Sequence, residues 1–290
     1  MKRGMLLLTC AGLLLGAGPA RACTLWAANG RTVAGGGSMI VKNRDWRPDQ
    51  YEVLRLVTPS SGYRYLGLYA DGQEGGTKAG INEKGLVVVS ATVDSIPAAR
   101  RKALPYTHGL LVKLLRSCAS VDEALAKIDG WQGPRILMLA DRRQVATIEV
   151  GPEGKSAVVT KHDAVIYHTN HYLAATLQDF NQRIFQSSRK RYERIGQLLD
   201  AAEKPLAFKT FLGFGNDRSA GPDDSIFRTG STPAKPRTMA TWAVRLPPAG
   251  PAEVYVKILN PGQPARVIRL DTAALFSAPR VTAARTSFDQ

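Results

Sequence analysis

Cys23 is the residue best placed to do chemistry, because of what precedes it. Lys2 and Arg3 are basic, Met5 to Leu15 is a short apolar run, and Ala20-Arg21-Ala22 has the small-x-small pattern of a signal-peptidase site. The expected boundaries are therefore a signal peptide over residues 1–22 and one catalytic domain over residues 23–290. Cleavage after Ala22 puts a thiol and a free α-amino group on one residue. An unperturbed α-amine has a pKa of about 7.7–8.0. It can take the thiol proton itself, so Cys23 needs no histidine to become a nucleophile toward a carbonyl carbon.

Two other readings of this junction stay open. Lipid attachment calls for a branched apolar residue three places before the cysteine, and Ala20 stands there. A leader that removes Cys10 leaves Cys23 and Cys118, and one disulfide is ordinary in an exported protein. With that disulfide the chain would be a non-catalytic periplasmic binding protein.

A cysteine nucleophile needs a group to hold its base, donors for the oxyanion, and a dry pocket. Asn43-Arg44-Asp45-Trp46 offers Asp45 as a partner for the amine. The alternative use of Asp45 is to cap a turn before Pro48. Asn170 ends a strand-like segment and offers a side-chain N–H to a developing oxyanion, or else it is a turn asparagine. His108, His162, His168 and His171 have no metal-like spacing and read as packed or solvated histidines. No cofactor is expected. Arg189-Lys190-Arg191 reads as a solvated helix face on charge alone.

Net charge is +15, and Lys2, Arg3 and Arg21 leave with the leader, so the remainder stays basic. That balance favours anionic partners or surfaces without naming one. No helix-turn-helix, zinc finger or aromatic-basic platform points to nucleic acid. After the leader no apolar run reaches the roughly 20 residues that cross a bilayer. The expected location is periplasmic or secreted, without a stable membrane anchor. Signal peptidase is the expected maturation partner.

The elements that must position these residues alternate in kind. Thr24–Ala28, Ser38–Lys42, Glu52–Val57 and Leu86–Val93 read as strands, with Asn29-Gly30 as a hairpin turn. Tyr106–Ser117 carries a leucine stripe. Ser120-Val121-Asp122-Glu123 reads as a capping box for a helix to about Ile128. Strands follow at Ile136–Ala140, Val145–Val150, Ser156–Thr160 and Ala164–His168, the last two continuing the same sheet. Leu173–Ala202 reads as helix, Lys209–Arg237 as a long loop, Thr238–Leu246 and Glu253–Leu259 as strands, and the tail after about Pro279 as loose. This order is α+β, two antiparallel sheets covered by helices.

Taken together, Cys23-Thr24, Asn43-Arg44-Asp45-Trp46, Gly80-Ile81-Asn82-Glu83-Lys84-Gly85-Leu86, Thr169-Asn170 and Ser187-Ser188-x-x-Arg191-Tyr192 resemble, in order, one superfamily. It comprises the choloylglycine hydrolases, penicillin V acylases and acid ceramidase relatives, with the acyl-coenzyme A:6-aminopenicillanic acid acyltransferases. Arg237-Thr238-Met239-Ala240 is similar to the acyltransferase branch. The resemblance implies a four-layer αββα N-terminal nucleophile sandwich that cleaves a small N-acyl amide through an acyl-thioester on Cys23. It implies Asp45 as the residue holding the amine, Asn170 as an oxyanion donor, and Arg191 as an organising cation. Lys42 falls where bile-salt hydrolases carry an arginine, and Thr92 where they carry a second oxyanion asparagine. These departures leave the substrate open, and acyl transfer to an amine remains an alternative to hydrolysis.

Overall fold

The computed structural model describes residues 22–71, 76–277 and 285–287. The signal-peptide expectation lies outside them, as does most of the tail after Pro279. In chain order the strands are β1 (Cys23–Asn29), β2 (Ser38–Trp46), β3 (Tyr51–Val57), β4 (Tyr65–Asp71), β5 (Gly76–Asn82) and β6 (Val87–Thr92). Then follow β7 (Arg135–Ala140), β8 (Val145–Val150), β9 (Ser156–Lys161), β10 (Val165–His168), β11 (Arg237–Leu246), β12 (Glu253–Ile258), β13 (Arg266–Asp271) and β14 (Arg285–Ser287). The helices are α1 (Ala98–Ala103), α2 (Leu110–Ser117), α3 (Val121–Leu125), α4 (Gln186–Ala201), α5 (Phe208–Gly213), α6 (Gly221–Asp224) and α7 (Thr272–Ser277).

The strands form two antiparallel sheets. One has six strands in the order β10-β1-β2-β11-β12-β13, the other eight in the order β14-β3-β4-β5-β6-β7-β8-β9. Alternation along each strand separates three cores. Leu25, Ala27 and Ile40 of the first sheet meet Leu66, Ile81, Val87, Val89 and Met138 of the second between the sheets. The leucine stripe of α2 packs with Leu86, Val88, Leu137 and Leu139 on the outer face of the eight-stranded sheet. Ile195 and Leu199 of α4 and Phe211 of α5 cover Trp26, Met39 and Val41 on the outer face of the six-stranded sheet. The result is the expected α+β sandwich of helix, sheet, sheet and helix layers.

Several local expectations are corrected. β10 does not continue the sheet of β9; it pairs with β1, Leu25 opposite His168. Helix α2 begins at Leu110, because Gly109 is left-handed at φ 65°. Ser120 Oγ does accept from the Glu123 N–H, but the Glu123 carboxylate bonds the N–H of Ala119 rather than that of the cap, and α3 stops at Leu125. Helix is confined to Gln186–Ala201 within 173–202, apart from a 3-10 turn at Gln178–Phe180. The expected loop at 209–237 holds most of α5, a 3-10 turn and α6. Arg285–Ser287 of the tail pairs with β3. Cys23 and Cys118 are free thiols in different cores, which removes the disulfide reading.

The conspicuous turn after β5 has a structural use. Asn82 Nδ2 donates to the carbonyls of Leu115 and Cys118 at 2.8 and 2.7 Å, and its Oδ1 accepts from the N–H groups of Lys84 and Leu86, each at 3.0 Å. One side chain thus closes the β5–β6 turn and caps the end of α2. Asn82→Ala should lower stability by about 2 kcal/mol, since it leaves buried carbonyls unpartnered, and a urea-unfolding midpoint measures the loss.

Candidate functional site

Strand β2 is buried along its whole length, yet Lys42, Asn43, Arg44 and Asp45 are four polar residues in a row. Burying such groups is costly unless each is paired. Alternation sends them two ways. Lys42 and Arg44 line a cavity of about 720 Å³ together with Cys23. Asn43 turns to the helix layer, donating to the carbonyls of Gly215 and Ile226.

Cys23 heads β1, opposite Arg44 of β2, and is 6% exposed. Its backbone nitrogen donates to Asn170 Oδ1 at 2.9 Å. Arg191, fully buried on α4, donates through Nη1 to the Cys23 carbonyl at 2.6 Å and to Thr24 Oγ1 at 2.9 Å, and through Nη2 to Asn170 Oδ1 at 3.1 Å. Burial works against its charge, while Asp45, Asp94 and Cys23 support it. Arg191 is therefore no solvated helix face.

Asn170 is fixed on every side. Its Nδ2 donates to the Thr92 carbonyl at 2.8 Å and its N–H to Ser188 Oγ at 3.0 Å. Two donors at Oδ1 and one acceptor at Nδ2 orient the amide, leaving one Nδ2–H uncommitted. His171 Nδ1 and Thr169 Oγ1 bond the same Ser188 hydroxyl. His171 is pushed down to about 4, first by burial and then by His168 and Arg191, so it sits neutral. His168 bonds Glu149 at 2.7 Å and is likewise part of the frame.

Asp45 closes β2. Its N–H donates to the Ala22 carbonyl at 3.0 Å, and Oδ1 accepts from Thr238 Oγ1 at 2.9 Å. Oδ2 is buried without a hydrogen-bond partner. Burial raises its pKa against the pull of Arg228 and Arg191. Lys42 Nζ donates to the carbonyls of Lys78 and Ser90, each at 2.7 Å, and burial pushes its pKa down to about 8. Cys23 is the leading influence opposing that fall.

The structure thus gathers all six sequence candidates: Cys23, Lys42 and Thr92 on the cavity, Asp45, Asn170 and Arg191 behind it. Thr92 brings its backbone carbonyl to Asn170. Sequence reasoning missed Asp94 and Arg228, both buried near Arg191, and Glu149 beneath His168. Asp94 carries no local signal, and Arg228 sat inside a segment read as loop. Among the described residues no cluster of His, Cys, Asp or Glu could hold a metal ion.

Comparison with known proteins bears on the fold and the family. Two structures of variants of the conjugated bile acid hydrolase from Clostridium perfringens align over 92% of this chain and 97% of theirs, with TM-scores of 0.58 and 0.57 at 13% and 15% identity. Penicillin V acylase from Agrobacterium tumefaciens aligns with a TM-score of 0.55 at 14% identity, over 92% of this chain and 91% of its own. At such identities the likeness is one of fold. No curated protein matches the sequence. A family model described as acyl-coenzyme A:6-aminopenicillanic acid acyl-transferase matches residues 32–255, a span that includes Lys42, Asp45, Thr92, Asn170 and Arg191. By that match the chain belongs to the acyl-coenzyme A:6-aminopenicillanic acid acyl-transferase family.

Proposed function

We propose that this protein is an exported amidase that cleaves N-acyl amides with Cys23, freed at the N-terminus, as its nucleophile. One observation carries the reading: the backbone nitrogen of Cys23 rests on Asn170 Oδ1 at 2.9 Å, at the wall of a 720 Å³ cavity. Once that nitrogen is an amine, it takes the Sγ proton. The thiolate attacks the amide carbon, and the uncommitted Nδ2–H of Asn170 receives the oxyanion. The ammonium returns its proton to the leaving nitrogen as the C–N bond breaks, giving an acyl-thioester. Water, deprotonated by the same amine, attacks the thioester and releases a carboxylic acid and the thiol. Arg191 holds the Cys23 carbonyl and Asn170 in one register. Asp45 steadies the charged amine.

The cavity wall favours anionic substrates. Lys42, Arg44, Lys78, Arg101, Lys102 and Arg135 line it, and among the described residues no carboxylate does. Such a one-signed cavity raises the local concentration of anions. Leu104, Tyr106, Leu111 and Pro134 supply apolar wall for an acyl group. The family's description favours a second reading, transfer of the acyl group to an amine. Product analysis with and without added amine separates the two.

The intact mass of the exported protein should correspond to a chain beginning at Cys23, without lipid. Cys23→Ala should abolish turnover of N-acyl amides while leaving circular dichroism and the melting temperature unchanged. Turnover by that variant would sink the reading. Lys42 gives the basic limb a sign. Its cation supports the thiolate and is lost as pH rises through about 8, so kcat/KM should fall above that pH. Lys42→Arg, which stays charged but does not match the two carbonyls, should lower the maximal rate and remove the fall above that pH.

A further inference from the structure

The mechanism above leaves the buried carboxylate of Asp94 idle. Asp94 lies in the turn between β6 and α1 and is 5% exposed. Its N–H donates to the Asn170 carbonyl at 2.9 Å, so its backbone is fixed to the residue that holds Cys23 N. The turn is secured without the Asp94 side chain. Arg101 Nη1 donates to the carbonyls of Val93 and Ile96, and the N–H groups of Gln182 and Arg183 donate to the Ser95 carbonyl. Neither carboxylate oxygen of Asp94 has a hydrogen-bond partner outside its own residue. Turn shape alone does not account for a buried, unbonded carboxylate.

What Asp94 does face is charge. Arg191 from α4, Arg101 from α1 and Arg228 from the segment before β11 all act on it electrostatically. Arg228 and, after it, Arg191 also act on Asp45 of β2. Arg228 is 4% exposed, with Nε and Nη1 unbonded, as is Asp45 Oδ2. Asp45 and Asp94 therefore share Arg191 and Arg228 through space, with Arg44 acting further on Asp45 and Arg101 on Asp94. On the cavity side the nearest influence is Lys42, and beyond Asn170 His171 is neutral. Burial pushes Asp94 up to about 7, against the three arginines.

We propose that Asp94 is a positioning residue for the amidase reaction, its charge offsetting Arg191 and Arg228 and so setting the basicity of the Cys23 α-amine. This rests on the nucleophile reading above. With Asp94 ionised, its charge offsets part of the surrounding guanidinium charge, and the amine keeps more of the proton affinity it needs to take the thiol proton. With Asp94 neutral, more of that positive charge is left unopposed, which disfavours ammonium and weakens the base.

The test reads the amine directly. Mature protein carrying nitrogen-15 cysteine is titrated, and the α-amine nitrogen of Cys23 is followed by NMR; the Cys118 amide does not titrate. Asp94→Asn should lower the amine midpoint by about one unit and Asp94→Glu should restore it. An unchanged midpoint in Asp94→Asn, whatever its turnover, overturns the proposal. Where Asp94→Asn fails to fold, Arg228→Gln reads the same balance with opposite sign. Its midpoint should rise, and a midpoint that stays or falls overturns the proposal. A wild-type protein with no titrating amine overturns the nucleophile reading and this proposal with it.

Discussion

A guanidinium with no access to solvent is the constraint on which this site depends. Arg191 cannot shed its charge by deprotonation, so the fold must satisfy it. It does so with the Cys23 carbonyl, Thr24 Oγ1 and Asn170 Oδ1, and at longer reach with Ser187 Oγ at 3.4 Å. Those partners lie on β1, on the turn after β10 and on α4 itself. Fixing Arg191 therefore fixes the angle of α4 on the six-stranded sheet and the height of the Asn170 turn against the head of β1. Removing a side-chain partner leaves a buried guanidinium donor unbonded, which costs about 1–3 kcal/mol or more. The hydrogen bonds that satisfy Arg191 are the same ones that hold the backbone of Cys23.

The same economy explains why a sheet buried on both faces carries so much polarity. Lys42, Asn43, Arg44 and Asp45 would weaken an ordinary central strand. Here Asn43 and Arg44 are bonded into neighbouring elements, Arg44 through Glu52 at 3.2 Å and Gln50 at 3.2 Å, with Trp46 under its guanidinium at 4.4 Å. Asp45, Asp94 and Arg228 keep polar atoms unbonded. Local destabilisation of this kind clusters where a protein needs perturbed groups. The concentration of unbonded polar atoms behind Cys23 is a physical mark of a site independent of any resemblance.

Strand positions were legible wherever β-branched or alternating residues ran uninterrupted, as in Val87–Thr92 and Val145–Val150. β4 and β5 escaped notice because Gly67 and Gly80 dilute their pattern. The structure gives the reason for Gly80: a Cβ there would lie 2.9 Å from the Leu66 carbonyl and 2.5 Å from Leu115. The exchange of β10 to the other sheet was invisible, because local sequence encodes a strand but not its partner. Helices were overextended where apolar residues continued past the real ends. The motif residues around Cys23, Asp45, Asn170 and Arg191 could be picked out, but Asp94 could not. Its importance comes from what α1, α4 and the segment before β11 bring to it, and no window of sequence contains them.

Lysine rather than arginine at position 42 suits this particular scaffold. The Lys42 ammonium sits between two carbonyls, one from β5 and one from β6, both at 2.7 Å. A compact cation with three rotatable donors can satisfy both and still present a charge to the cavity. A planar fork would have to find carbonyls at its own fixed spacing and would occupy more of the space beside Cys23. The lysine also titrates within reach of neutral pH, which an arginine does not. In the proposed mechanism the Cys23 α-amine, whose unperturbed value is about 7.7–8.0, and the Lys42 ammonium, at about 8, change charge over neighbouring ranges of pH. The amine can take the thiol proton only where it has lost its own, and Lys42 supports the resulting thiolate only where it has kept its proton.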